Sequence, residues 1–153
     1  MSQPRIRAAV AIQTPEGLLL VRHQKRDRTY WLLPGGGVEY GESATAAARR
    51  EVLEETGLEV DIDELMFVAE TLAPDVSRHV VHLVFRGRLL GGTLCAEQET
   101  PVDGRGRVVE AQWVPLDKVV GLVMHPPFRT QLLKALQQPL LHPPIFLENL
   151  WIH

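Results

Sequence analysis

The chain has 153 residues, 45% of them apolar and 23% charged, with a formal net charge of −3 at pH 7. That length suits one compact domain, 1–153, with a sizeable core, and the acidic balance gives no bulk attraction to nucleic acid or an anionic membrane surface. One cysteine, Cys95, excludes an internal disulfide. The polar opening MSQPRIR and short AAVAI run exclude a signal peptide, and no run reaches the ~18 apolar residues of a membrane span, so a cytoplasmic domain is expected.

In chain order, IRAAVAIQ (6–13) and GLLLVRH (17–23) read as two strands joined by the turn TPEG. RHQKRDR (22–28) reads as a basic loop, and TYWLLPGGG (29–37) as an aromatic strand running into a glycine-rich turn. SATAAARREVLEET (43–56) is the clearest helix. Ser43 suits its N-cap and Gly57 its left-handed C-terminal position. Ala44, Ala48 and Val52 recur every four residues and are expected to face a core, opposite the acids.

Residues 58–62 (LEVDI) and 64–74 read as strand material, and RHVVHLVFRGRLLGG (78–92) as a long central strand. TLCAEQETPVDGRGR (93–107) reads as a polar acidic loop, VVEAQWVP (108–115) as a strand, and LDKVV as a short turn or helix start. FRTQLLKALQQ (128–138) reads as a helix introduced by Pro126 and Pro127. The apolar, proline-rich tail is expected to lie on the domain or a partner without forming a regular element. Strands interspersed with two helices indicate an α/β fold with a central mixed sheet.

One stretch carries chemistry. On the helix, Glu51, Glu54 and Glu55 share a face at spacings of three and four, where like charges repel. The spacing around them is specific. Gly36 precedes Glu42 by five intervening residues, and seven more separate Glu42 from Arg50-Glu51. Val52, Leu53, Glu54, Glu55, Thr56, Gly57 and Leu58 follow. An isolated E-x-x-E-E would read as a solvated acidic face; the full pattern over 36–58 resembles the Nudix box, G-x5-E-x7-R-E-U-x-E-E-x-G-U with U aliphatic, at every specified position. The preceding Pro34-Gly35 and the later E-A-Q-W-V-P-L-D are also similar to that family.

The residue types suit diphosphate chemistry in their own right. A hard divalent cation neutralises phosphate charge and acidifies bound water, and it prefers carboxylate oxygens. Arg50 stays protonated and cannot be a ligand. The resemblance implies an α/β/α sandwich with a catalytic loop-helix-loop. It also implies a Mg²⁺ or Mn²⁺ site of Glu51, Glu54, Glu55 and a carbonyl near Gly35. Arg50 would hold a glutamate by a bidentate hydrogen bond, and Glu42 would pair structurally with the helix. Gly36 would let backbone approach metal or phosphate. The general base is Glu51 or a loop carboxylate: Glu97, Glu99 or, preferred among these three, Glu110.

Outside the box, Arg22 and Arg28 are the expected phosphate contacts, whereas Lys25 and Arg26 read as a solvated hairpin shoulder. Tyr30 and Trp31 alternate, so at most one faces a site; Trp31 is taken as the candidate. His23, His79 and His82 lack ligand spacing and read as surface or core residues. Pro74, sixteen residues past the box, resembles its placement in ADP-ribose-type pyrophosphatases. The expected activity is hydrolysis of a diphosphate bond in a nucleoside diphosphate linked to another group. The alternatives are a nucleoside triphosphate pyrophosphohydrolase and a non-catalytic nucleotide-binding module. A small nucleotide-derived substrate is the expected partner, with neither nucleic acid nor membrane. Ile145, Phe146, Leu147 and Trp151 would serve a homodimer or cover their own sheet.

Overall fold

A computed structural model describes residues 2–95, 107–139, 143–148 and 150–151. Among these residues lie eight strands and three helices, in the order β1 (Arg5–Thr14), β2 (Gly17–Lys25), β3 (Arg28–Leu32), β4 (Gly35–Gly37), α1 (Ala44–Thr56), β5 (Leu58–Leu72), β6 (His79–Gly92), β7 (Arg107–Val114), α2 (Leu116–Val119), α3 (Arg129–Leu136) and β8 (Ile145–Leu147). The central path runs β3-β2-β1-β6-β5-β8, with β4 on β1 and β7 on β2. β1 runs parallel to β6, and β8 parallel to β5, while the other pairs are antiparallel. The sheet is therefore mixed. No helix among the described residues is long and apolar enough to cross a membrane.

Alternation along β1 sets the layers. Ala8, Val10 and Ile12 point to one face, where they pack with Ala47, Ala48 and Val52 of α1. Ala9 and Ala11 point to the other, where Val119 of α2 and Phe128 and Leu132 beside and within α3 close a second core. β1 is apolar on both faces because helices cover both. α3 is tied down at its C-terminal end, where Arg86 donates to the carbonyls of Ala135 (2.9 Å) and Gln138 (3.1 Å) and pairs with Glu64 at 3.0 Å. A cation there satisfies orphan carbonyls and complements the helix dipole.

Four expectations require correction. Residues 22–28 are not a loop: Arg22 to Lys25 finish β2, Arg28 opens β3, and only Arg26 and Asp27 turn the chain. The glycines 35–37 are not a turn but β4, paired with residues 7–9 of β1. Residues 145–147 of the tail do form a regular element, because β5 still has a free edge for them. The acids of α1 do not lie opposite its core face, since Glu55 is buried beside Ala48 and Val52. Residue 55 lies seven on from 48, nearly two full turns, so it belongs to the same stripe. Most of the acidic 93–107 segment, with Glu97 and Glu99, lies outside the described residues.

α1 begins and ends as the sequence implies. The Ser43 side chain accepts from the Ala46 N–H, and Gly57 adopts φ +75° and donates to the Leu53 carbonyl at 2.9 Å. A side chain at 57 would be strained in this region and would also meet the Thr93 carbonyl. Gly57→Ala is expected to cost at least about 1 kcal/mol of stability. Urea unfolding at unchanged m-value would measure this, and an undiminished midpoint would refute it.

Candidate active site

The site grows from Arg50. Its guanidinium donates twice to Glu42, from Nε to Oε2 at 2.8 Å and from Nη2 to Oε1 at 2.9 Å. It also donates to Glu51 Oε1 (2.8 Å), to the Gly37 carbonyl (3.1 Å) and, at 3.5 Å, to Glu54 Oε2. One rigid cationic fork thus ties the incoming loop, the end of β4 and two turns of α1 together. Hydrogen bonding from Arg50 holds the Glu42 carboxyl down at about 2, and pairing with Glu42 first, then Glu51, raises the guanidinium above its ordinary value. Both groups stay ionised at every physiological pH.

Glu55 is held separately. Its Oε1 accepts the Gly35 N–H at 2.8 Å, and Oε2 lies 3.5 Å from His23 Nε2. Glu51 projects toward Gly36, where any methyl group would overlap its carboxylate. The absent side chain at 36 is what leaves room for Glu51. β4 has no positive φ at these glycines, so close approach, rather than turn conformation, accounts for Gly36. Glu54 extends toward solvent, with its side chain about half exposed.

The protonation of Glu51 reports the local field. Burial raises its pKa first, the neighbouring Glu55 charge second, and the Arg50 hydrogen bond only partly reverses this. Buried negative charge is thus incompletely compensated by the protein. Among the described residues no three His, Cys, Asp or Glu side chains converge as a ready-made metal cluster. Repulsion explains the separation: Arg50 draws Glu51 and Glu54 one way and the Gly35 N–H draws Glu55 another. The donor set nevertheless fits a hard divalent cation. It offers carboxylate oxygens from one helix, two of which already share a single cationic nitrogen, Arg50 Nη1.

Other sequence candidates fall elsewhere. Arg22 and Glu110 pair with one another across β2 and β7 at 2.8 Å, and Glu110 lies within β7, not at its end. Glu110 makes no hydrogen bond or ion pair with the box glutamates among the described residues. Arg28 is exposed beside the β2–β3 turn. Trp31 is half-buried against the α2–α3 core, so Tyr30 is the aromatic on the site side, in a cavity with Arg7 and His23. Sequence reasoning passed over Arg7, and His23, read as a surface or core residue, is buried. Arg7 carried a signal, being a charge one residue before a wholly buried apolar run. His23 carried none, because its neighbour Glu55 lies 32 residues away.

Two outcomes follow. Gly36→Ala pushes the flexible Glu51 carboxylate aside, so Mg²⁺ affinity by calorimetry should fall about 10–100-fold, with the fold kept; unchanged affinity would contradict the placement. For pH, a folded-state carboxyl pKa above its unfolded value contributes stability below the unfolded pKa, and loses it as pH rises through the folded value. Metal-free protein should therefore lose a Glu51 contribution as pH rises through and above the ordinary carboxylate range. Added Mg²⁺ or Glu51→Gln should flatten that part of the profile; an identical slope in the variant would refute the assignment.

Comparison with known proteins bears on the family and the fold. The NUDIX domain model matches residues 3–136. The chain is 33% identical over 108 residues to 8-oxo-dGDP phosphatase NUDT18 of Homo sapiens, covering 70% of this chain and 31% of that protein. It is 38% identical over 79 residues to ADP-ribose pyrophosphatase of Methanocaldococcus jannaschii, covering 52% of this chain and 47% of that one. It thus spans less than half the length of either curated relative. A NUDIX hydrolase structure from Nitrosomonas europaea superposes with a TM-score of 0.75 at 23% identity, covering 88% of both chains, which speaks for the fold. With the loop, the helix and its Arg50-centred glutamates in place, the chain belongs to the NUDIX domain family.

Proposed function

We propose that this domain hydrolyses a diphosphate bond in a nucleoside diphosphate linked to another group, with Mg²⁺ or Mn²⁺. The carrying observation is the Arg50 network, which presents Glu51 and Glu54 from one helix face while the Gly35 N–H pins Glu55. Glu51, Glu54, Glu55 and the Gly35 carbonyl would hold the cation. When bound, a divalent ion supplies neutralisation of phosphate charge and acidification of water. A similar protein is named for ADP-ribose, a nucleoside diphosphate linked to a second ribose, which supports this substrate class; another is named for 8-oxo-dGDP, a nucleoside diphosphate with no further group.

Glu51 is the best-placed general base. Burial and the neighbouring Glu55 charge raise its pKa in the metal-free protein, and a bound cation would offset part of that rise. Its Oε1 accepts from Arg50 and keeps a second lone pair for the cation, leaving Oε2 to take a proton from water. Glu110 is a poorer base because Arg22 already claims its Oε2. Arg50 orients Glu51 without reacting, and Glu42 fixes Arg50 in turn. A water deprotonated here attacks phosphorus, and the leaving phosphate departs without a covalent intermediate.

Incubation with Mg²⁺ and a panel of ADP-ribose, dinucleoside polyphosphates, nucleotide sugars and nucleoside triphosphates tests the reading. AMP from ADP-ribose is the expected product. Pyrophosphate released only from a triphosphate would transfer the assignment to triphosphate pyrophosphohydrolysis, and tight nucleotide binding without product would make the domain a binding module. Glu54→Gln should lower turnover by a factor of about 100 or more at saturating metal. Retained turnover would sink the mechanism.

A further inference from the structure

Beside Glu55, reached through His23, lies a small cavity of about 40 Å³. Its walls include Arg7 from β1, Tyr30 from β3, His82 from β6, Arg78 from the β5–β6 turn, and His125 and Trp151. His23 lines it too and reaches Glu55 at 3.5 Å, so the cavity abuts the platform. Among the described residues its lining includes two arginines and no carboxylate residue.

One of the two charges has been placed there at a cost, while Arg78 is exposed. Arg7 is partly withdrawn from water, and burial lowers its pKa despite the attraction of Glu55 and Glu51. It donates to the Leu33 carbonyl at 3.0 Å, which leaves other N–H groups of its fork. Arg78 makes no side-chain hydrogen bond or ion pair among the described residues. The turn that carries it is nonetheless fixed. Ala73 N donates to Arg78 O at 2.8 Å, Val76 N to Ala73 O at 2.8 Å, and Asp75 Oδ1 accepts from the Ser77 N–H and hydroxyl at 3.0 and 2.6 Å. Val76, a β-branched residue, is held at φ +58°, a strained conformation that surrounding contacts must enforce. His82, 3.0 Å from Thr71 Oγ1, is kept neutral by burial and by the charges of Arg7 and Arg78, its pKa down at about 3. A neutral imidazole retains one N–H donor without adding charge.

We propose that this cavity is a subsite for a phosphate monoester borne by the substrate in addition to its scissile diphosphate, with Arg7 and Arg78 as its cationic walls. The inference rests on the hydrolase reading above and narrows its substrate class. Size supports a compact anion: one water needs about 10–15 Å³ by this measure, so the room is that of about three waters, or the three free oxygens of a phosphate. A purine ring is larger and would have to displace the walls. The dianion also matches the two guanidinium charges. A cation on Glu51 and Glu55 would draw on the charge that now faces Arg7, so metal and anion should bind cooperatively.

Matched substrates that differ by one phosphate monoester test this: dephospho-coenzyme A against coenzyme A, and ADP-ribose against its 2′-phosphate. In at least one pair the phosphate should lower KM about tenfold with kcat little changed, and Arg78→Gln should erase the difference while Arg78→Lys restores part of it. Calorimetric titration of inorganic phosphate should likewise weaken about tenfold in Arg78→Gln, whose exposed site leaves the thermal midpoint in place. Equal KM within both pairs, or phosphate binding indifferent to Arg78, would overturn the subsite. If no diphosphate is hydrolysed but phosphate binding still needs Arg78, the hydrolase reading fails and the anion site stands.

Discussion

The site depends on a single guanidinium in a narrow place. Arg50 joins the loop at Glu42, the carbonyl that ends β4 and the acids of α1. Three glutamates on one helical face repel one another, so they keep useful positions only if something holds them apart and orients them. Arg is suited to this because its planar fork binds one carboxylate bidentately with two nitrogens and still has donors for others. The bidentate pair with Glu42 is therefore the constraint from which the presentation of Glu51 and Glu54 follows. A lysine would preserve charge and lose this geometry.

The second constraint is space. β4 has to run close to α1 for the Gly35 N–H to reach Glu55 and for Glu51 to lie over Gly36. Pairing of β4 with residues 7–9 of β1 sets that approach, and packing of Ala47, Ala48 and Val52 on the same sheet sets the height of the helix. The small alanines let α1 sit low. The apolar core on one side of the helix and the acid cluster at its edge are thus parts of one packing arrangement. Burial of Glu55 on the core stripe shows how closely the two are joined.

Legibility varied by the range of the interaction. α1 with its caps and the long central β6 were readable because each rests on neighbours along the chain or on strict periodicity, and the pairing of Arg50 with a glutamate was implied by the family resemblance. The glycines 35–37 and the basic stretch 22–28 were misread as turn and loop. Glycine and charge are local signals for irregular backbone, and both segments were overridden by strand partners supplied from β1 and β3. The tail was misread for a similar reason: three residues with no strong local preference become β8 only because β5 has an edge to offer.

Among site residues the same division holds. The spacing pattern within 36–58 brought the candidates Glu42, Arg50, Glu51, Glu54, Glu55 and Gly57 together on one loop and one helix, whereas the place of Gly36 in β4 depends on β1. Tertiary structure alone decided that Arg22 neutralises Glu110, that Tyr30 rather than Trp31 lies on the site side, and that Arg7, His23, His82 and Arg78 gather beside Glu55. Those residues come from strands and a turn far apart in the chain. Sheet order, which depends on burying two apolar faces at once, is what brings them together, and no spacing along the chain records it.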